Sequence, residues 1–157
     1  MQKITPFLWF DDKAEEAARF YTSVFKNSRL GGIMRYDAAS AKAAGRPEGS
    51  ALTVSFELEG LPFTALNGGP QLKMSGGISF VVTCDTQEEI DYYWEKLSEG
   101  GEEGQCGWIN RDKFGVTWQV VPANLPQLIG NPAGMQAMLQ MKKLDIATLQ
   151  KANESVS

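Results

Sequence analysis

The stretch Asp12-Lys13-Ala14-Glu15-Glu16-Ala17 is answered 73 residues later by Asp85-Thr86-Gln87-Glu88-Glu89-Ile90. The match continues: under the same offset Phe20-Tyr21 falls on Tyr93-Trp94. Each stretch follows a mainly apolar run, Lys3 to Phe10 in the first case and Gly77 to Cys84 in the second. Each also opens an amphipathic helix. Ala14, Ala17, Ala18, Tyr21, Val24 and Phe25 recur at helical spacing, and Ile90, Tyr93, Trp94 and Leu97 sit at i, i+3, i+4 and i+7. Asp12 with Glu15 has capping-box spacing, and either Asp85 with Glu88 or Thr86 with Glu89 supplies the second cap. Asn27-Ser28 ends the first helix, and Gly100-Gly101 offers a left-handed stop for the second. A strand, a cap, a helix and an aromatic pair in the same order mark an internal repeat.

Strands follow each helix. The first is Arg29 to Tyr36. Ala51 to Glu59 alternates, with Leu52, Val54, Phe56 and Leu58 on one face. Thr53, Ser55 and Glu57 form the other face, which either lines a cleft or meets solvent. Gly60-Leu61-Pro62 is turn-like, and Phe63 to Asn67 runs on to Gly68-Gly69-Pro70. In the second half Glu102 to Asn110 and Val116 to Pro122 read as strands, with Arg111 to Gly115 as the turn between them. Each half therefore reads β-α-β-β-β, and the fold class is α+β. Asp37 to Gly49, rich in Ala, Gly and Ser and holding Pro47, reads as a surface loop. The chain is expected to form one domain over residues 1–157, with repeats at 3–70 and 76–122 and a helical tail at 123–157. In the tail Met135, Met138 and Leu139 form an apolar stripe and Asp145 can cap a last helix. That stripe packs on its own sheet or covers a partner subunit, since Met-rich faces adapt to either.

Composition narrows the function. Of 157 residues 43% are apolar and 22% charged, which is ordinary for a globular protein. The formal net charge of −4, with no Lys/Arg cluster against it, argues against nucleic acid as a partner. No apolar run approaches the ~20 residues that span a bilayer, and Met1 to Pro6 lacks the apolar core of a secretory signal, so a cytoplasmic location is expected. Cys84 and Cys106 make neither a disulfide framework nor a zinc site and read as free thiols. The chain has no histidine. That removes the commonest metal ligand and general base, and excludes Ser-His-Asp and Cys-His arrangements within one chain. Glu57 is the remaining candidate base if it is buried, and Cys106 the remaining nucleophile. Trp108 shares a face with Cys106 and is either a stacking wall for a flat ligand or a core aromatic. Arg35 and Arg111 either bind an anionic ligand or sit solvated at the surface.

Three stretches carry a family resemblance: Leu66-Asn67-Gly68-Gly69-Pro70, Cys106-Gly107-Trp108, and Asp112-Lys113-Phe114-Gly115-Val116-Thr117-Trp118-Gln119-Val120-Val121-Pro122. Together with the tandem repeat they resemble the PhnB-like branch of the vicinal-oxygen-chelate (glyoxalase/bleomycin-resistance) superfamily, over residues 3 to 122. The tail end, Leu144-Asp145-Ile146-Ala147-Thr148-Leu149, looks like the longer members labelled 3-demethylubiquinone 3-methyltransferase. The resemblance implies eight strands curled around a cleft, with helices on the convex side. It places the superfamily's metal-ligand positions on Pro6, Ser79, Gln119 and either Ala65 or Asn67. None of these is the imidazole or carboxylate that a divalent ion wants, so neither metal nor other cofactor is expected. The label is not matched by chemistry either, because Phe10-Asp11-Asp12 lacks the glycine-rich turn of a doubly wound nucleotide-binding sheet.

With the positions that the resemblance assigns facing the cleft, strand parity implies that Pro6, Leu8 and Phe10 face it and Phe7 and Trp9 the helix. In the second half Ser79, Val81, Thr83, Thr117, Gln119 and Val121 are expected in the cleft. The candidate ligand-contacting residues are thus Leu8, Glu57 and Asn67 from the first repeat, and Ser79, Cys106, Trp108 and Gln119 from the second. The expected function is a metal-free, homodimeric small-molecule-binding protein with a mostly apolar cleft. The alternative is an enzyme of the superfamily, either metal-independent or using atypical metal ligands. A third reading is a partner-binding module built on the Met-rich tail.

Overall fold

A computed structural model describes residues 2–154. The expected tail runs three residues further, and 155–157 lie outside the described residues. The chain divides into two compact units, Met1–Met74 and Ser75–Ser157.

The first unit holds β1 (Phe7–Phe10), α1 (Ala14–Val24), β2 (Ser28–Arg35), α2 (Ala38–Ala44), β3 (Ala51–Leu58) and β4 (Leu61–Asn67). Its sheet has the order β1-β4-β3-β2, with β1 parallel to β4 and the other pairs antiparallel. Leu8, Phe10, Val54, Phe56, Leu58, Phe63 and Ala65 alternate onto one buried face. Tyr21 of α1 stacks on Phe56, with centroids 6.2 Å apart, and Phe56 stacks on Phe63 at 5.2 Å.

The second unit repeats the plan. β5 (Phe80–Cys84), α3 (Gln87–Ser98), β6 (Glu102–Glu103), β7 (Trp108–Arg111) and β8 (Trp118–Pro122) give the order β5-β8-β7-β6. β5 and β8 are parallel, as β1 and β4 are. The 73-residue offset places the start of α1 on the start of α3, so the repeat seen in sequence is a repeat in topology. Ile90, Trp94 and Leu97 of α3 are buried, as are Ile109, Trp118 and Val120 of the sheet. The fold is α+β, two β-α-β-β-β units with a helical C-terminal extension.

Three local expectations are corrected and one open choice is resolved. Asp12 and Glu15 do not make the α1 cap: the cap residue is Lys13, without a side-chain bond, and Asn67 Oδ1 accepts from Ala14 N–H at 2.8 Å instead. In the second repeat the choice resolves to Thr86, whose hydroxyl accepts from Glu89 N–H at 3.2 Å while Glu89 accepts from Asp85 N–H at 3.1 Å. The stretch from Asp37 to Gly49 is not a plain loop. Asp37 and Ser40 form a capping box, and Gly45, at φ 68°, ends α2. The expected strand from Glu102 to Asn110 is broken in two, because Cys106 and Gly107 both have positive φ and Trp108 N–H donates to Gln105 O at 3.1 Å, the pattern of a type I′ turn.

The tail forms α4 (Leu125–Leu128), α5 (Pro132–Leu139) and α6 (Ile146–Glu154). Leu128, Leu144 and Leu149 make a small core against which Met138, Met141 and Ile146 pack. Hydrogen bonds also tie it to its unit. Gln87 Nε2 donates to Leu144 O at 3.0 Å and Gln87 Oε1 accepts from Ile146 N–H at 2.8 Å, while Cys106 and Gly107 N–H donate to Met141 and Lys142 carbonyls, both at 2.8 Å. The tail thus docks within its own unit, although Met135 and Leu139 remain exposed.

Candidate functional site

Only one face of the first sheet is buried. Its other face carries three rows of side chains fixed by strand register, since residues directly opposite across strands share a face. Trp9, Leu66, Thr53 and Met34 form the first row, Phe7, Thr64 and Ser55 the second, and Pro62, Glu57 and Arg29 the third. The surface grades from apolar through hydroxylated to ionic. Phe7 is 58% exposed, whereas its neighbours Leu8 and Phe10 are buried at 8% and 5%.

The parity expected for β1 is therefore reversed. Leu8 and Asn67 lie on the helix-covered face, and Phe7 and Trp9 lie on the open one. Asn67 is occupied structurally: it caps α1, donates from Nδ2 to Ala51 O at 3.1 Å, and its carbonyl accepts from Tyr36 Oη at 2.7 Å. Sequence could not reveal this, because β1 is apolar at every position from Phe7 to Phe10 and so shows no alternation.

A cavity of about 500 Å³ opens along the second and third rows, reaching Thr5, Gly31, Ser55, Glu57, Pro62 and Thr64. Arg29 and Glu57 form a two-point fork across it, Nε to Oε2 at 3.1 Å and Nη2 to Oε1 at 3.2 Å. Glu57 is not buried, so desolvation does not make it a base; its side chain is 35% exposed. Gly31 keeps Ser55 accessible, since a Cβ there would sit 3.0 Å from Ser55 O. Trp9 is held by its Nε1 donating to Gly69 O at 2.9 Å, and any side chain at Gly68 would collide with the indole at 2.3 Å.

The second sheet also has an open face, and here parity follows expectation. Val81 is 54% exposed and Thr83 is exposed, while Val82 and Cys84 are buried. Ser79, Trp108 and Gln119 come together: Gln119 Nε2 donates to Ser79 Oγ at 3.0 Å, and Gln119 pairs in register with Trp108 and Val81. Trp108 is half-buried on this face, not a core aromatic. Thr117, expected here, is buried and donates to Asn110 O at 2.8 Å. Cys106 does not share a strand face with Trp108 but sits in the turn before it. Cys84 is sealed in the core, where burial first, then the carboxylates of Glu89 and Asp85, push its thiol up to about 12.

The two arginines with alternative anion-binding and solvated surface roles are both exposed and engaged with acids. Arg111 pairs with Glu102, and Arg35 lies 4.0 Å from Glu15. Arg35 also lines a cavity of about 360 Å³ with Arg19, Arg46, Asp12, Glu15 and Glu16, where three charges of each sign balance. Asp112 was read only as part of a turn. It is buried, accepts from Phe114 and Val116 N–H at 2.8 and 3.0 Å and from Trp118 Nε1 at 2.9 Å, and so sets the turn that delivers β8.

With this geometry in hand, the family follows from comparison. Residues 2–121 match the family model described as 3-demethylubiquinone-9 3-methyltransferase. The chain belongs to this family. A putative 3-demethylubiquinone-9 3-methyltransferase, PhnB protein, from Bacillus cereus is 36% identical, with a TM-score of 0.69 over 78% of this chain and 100% of that one. Protein PA1353 from Pseudomonas aeruginosa shares the fold at 19% identity and a TM-score of 0.61, over 78% of this chain and 98% of its own. No curated protein matches. The family match ends where the tail begins, so α4–α6 extend beyond it.

The family's name implies S-adenosylmethionine, and the chain does not fit it. The turn after β1 is Asp11-Asp12-Lys13, with no glycine for a close backbone approach and two carboxylates in place, and the sheets are not doubly wound. A divalent ion at the superfamily's positions fits no better. Pro6 offers only a carbonyl that already accepts from Thr64 N–H, Ser79 and Gln119 bind each other, and Asn67 is a cap. Among the described residues no group of three or more His, Cys, Asp or Glu could hold a metal.

Proposed function

We propose that this PhnB-like protein binds a small organic molecule on the helix-free faces of its sheets, without a metal. The observation that carries the reading is the cavity of about 500 Å³ on the first sheet, lined by Thr5, Ser55, Thr64 and the Arg29–Glu57 fork, with exposed Phe7 next to Thr64 in register. Ligand sites combine apolar walls with a few placed polar groups, and Phe7, Trp9 and Leu66 beside Ser55, Thr64 and Glu57 supply that combination. The Ser79, Trp108 and Gln119 cluster offers a second such surface. Leu8 and Asn67 have no part in it, and Cys106 contributes only by setting the turn before Trp108.

The protein is proposed to act as a homodimer in the cytoplasm. Ile4 and Phe7 in the first unit and Ile78 and Val81 in the second are 82%, 58%, 73% and 54% exposed, apolar side chains that a second copy would cover. Two unpaired cysteines suit a reducing compartment, and among the described residues no helix is long and apolar enough to cross a membrane. Light scattering at micromolar concentration tests the dimer, and a monomer mass contradicts it. A thermal-shift screen of a neutral fragment library tests the binding itself. A ligand at 100 times its Kd raises stability by about 2.7 kcal/mol, and the Ser55→Trp variant, which fills the cavity, should abolish the shift for ligands of the first sheet. A library without a single stabilising compound would sink the reading.

A further inference from the structure

On the basis of that reading, the chemistry of the first open face narrows the ligand class. Arg29 and Glu57 bind each other through two hydrogen bonds, so the two charges in the cavity already cancel. A charged ligand group would meet a like charge in the pair, whereas a neutral group can join it without repulsion. The fork uses Nε and Nη2 of Arg29, leaving Nη1 as a donor beside the remaining lone pairs of the Glu57 carboxylate. A vicinal diol matches such a donor–acceptor pair, because one hydroxyl donates to the carboxylate while its neighbour accepts from the guanidinium. Three further hydroxyls line the same cavity: Thr5, Ser55 and Thr64. Within the described residues none makes a hydrogen bond, and a hydroxyl can serve as donor or acceptor toward another hydroxyl. An amide or ketone would use one or two of these groups; a polyol uses them all.

The opposite end of the face is apolar. Phe7 stands beside Thr64, and Trp9, one row on, lies roughly 6.6 Å along the strand from Phe7. The indole is locked by Gly69 O and by its fit against Gly68, so it presents a fixed ring at little entropic cost on binding. We infer that this face binds a neutral polyhydroxylated head, a sugar or polyol, joined to an aromatic or apolar body, with the head on Arg29, Glu57 and the three hydroxyls and the body against Phe7 and Trp9.

The test is a titration of the full chain, by calorimetry and amide chemical shifts, with a panel of phenyl glycosides (glucoside, galactoside, mannoside, riboside), their aglycones, and phenyl glucuronide. At least one neutral glycoside should bind about tenfold or more tightly than its aglycone and than the glucuronide. Glu57→Ala and Ser55→Ala should each erase most of that preference, about tenfold for Glu57 since it is a bond to a charged group, and leave aglycone binding within about twofold. Both side chains lie on the open face, so the fold tolerates their loss, and Arg29→Ala gives an independent check. If aglycones bind as tightly as glycosides, or if the preference survives Glu57→Ala, the polyol inference is overturned while small-molecule binding stands. Failure of the whole panel also overturns it, and the neutral fragment screen then decides separately whether the binding reading falls too.

Discussion

Asn67 shows how one residue can be misassigned by pattern and then explained by its bonds. Its amide caps α1 through Ala14 N–H and ties β3 through Ala51 O, both inside the core. Asn67→Ala leaves both backbone groups unpaired and should cost about 2–4 kcal/mol, read by urea denaturation. Gly107 is a similar single-residue constraint. It sits at φ 85°, and a Cβ there would come within 2.9 Å of Val120 O and 3.0 Å of Leu144 Cδ1. Gly107→Ala should therefore lower stability by about 2 kcal/mol or more through left-handed strain and crowding. Cys84 carries a pH signature. Burial pushes its thiol from the ordinary 9.0 up to about 12 in the folded chain, so the unfolded chain ionises first. Its contribution is fully present below pH 9 and is lost as pH rises toward 12. Stability should fall over that window, and Cys84→Ala should flatten the fall although it lowers stability at neutral pH.

At the scale of elements, the repeat was legible because it is carried by side chains that both pattern and packing require. Tyr21 and Trp94 occupy equivalent helix positions under the 73-residue offset and both are buried, and the two sheets share one strand order. The caps were less legible. Aspartate and glutamate at capping-box spacing in the first helix are a coincidence of composition, since the real acceptor, Asn67, lies 53 residues away. Of the two repeat helices α1 and α3, α3 is the one with a local side-chain cap, Thr86. Thr86→Ala should cost about 1 kcal/mol, whereas Asp12→Ala should stay within about 0.5 kcal/mol; paired denaturation curves would show the contrast. The break between β6 and β7 escaped notice because Cys106 is an unusual residue for a positive φ, with Gly107 the single cue. Gln87 binds the tail backbone at two points, so Gln87→Ala should speed amide hydrogen exchange in α6 more than in α3.

At the scale of the whole molecule, sequence carried the architecture further than the site. Two βαβββ units, the helical extension and the family could all be reached from periodicity and motif. The open faces could not be assigned throughout, because a strand that is apolar at every position leaves its facing to tertiary packing. β1 is such a strand; β5 and β8 each carry one polar residue, Thr83 and Gln119, that marks the open face and show the expected facing, while Thr117 just before β8 does not. The central claim is that a small molecule binds on helix-free sheet faces. Amide chemical-shift mapping with the stabilising fragments tests it most directly. The account predicts perturbations at Phe7, Ser55, Glu57 and Thr64, at Trp108 and Gln119, or at both sets. Perturbations confined to the helix-covered faces or to α4–α6, or none at saturating ligand, would contradict it.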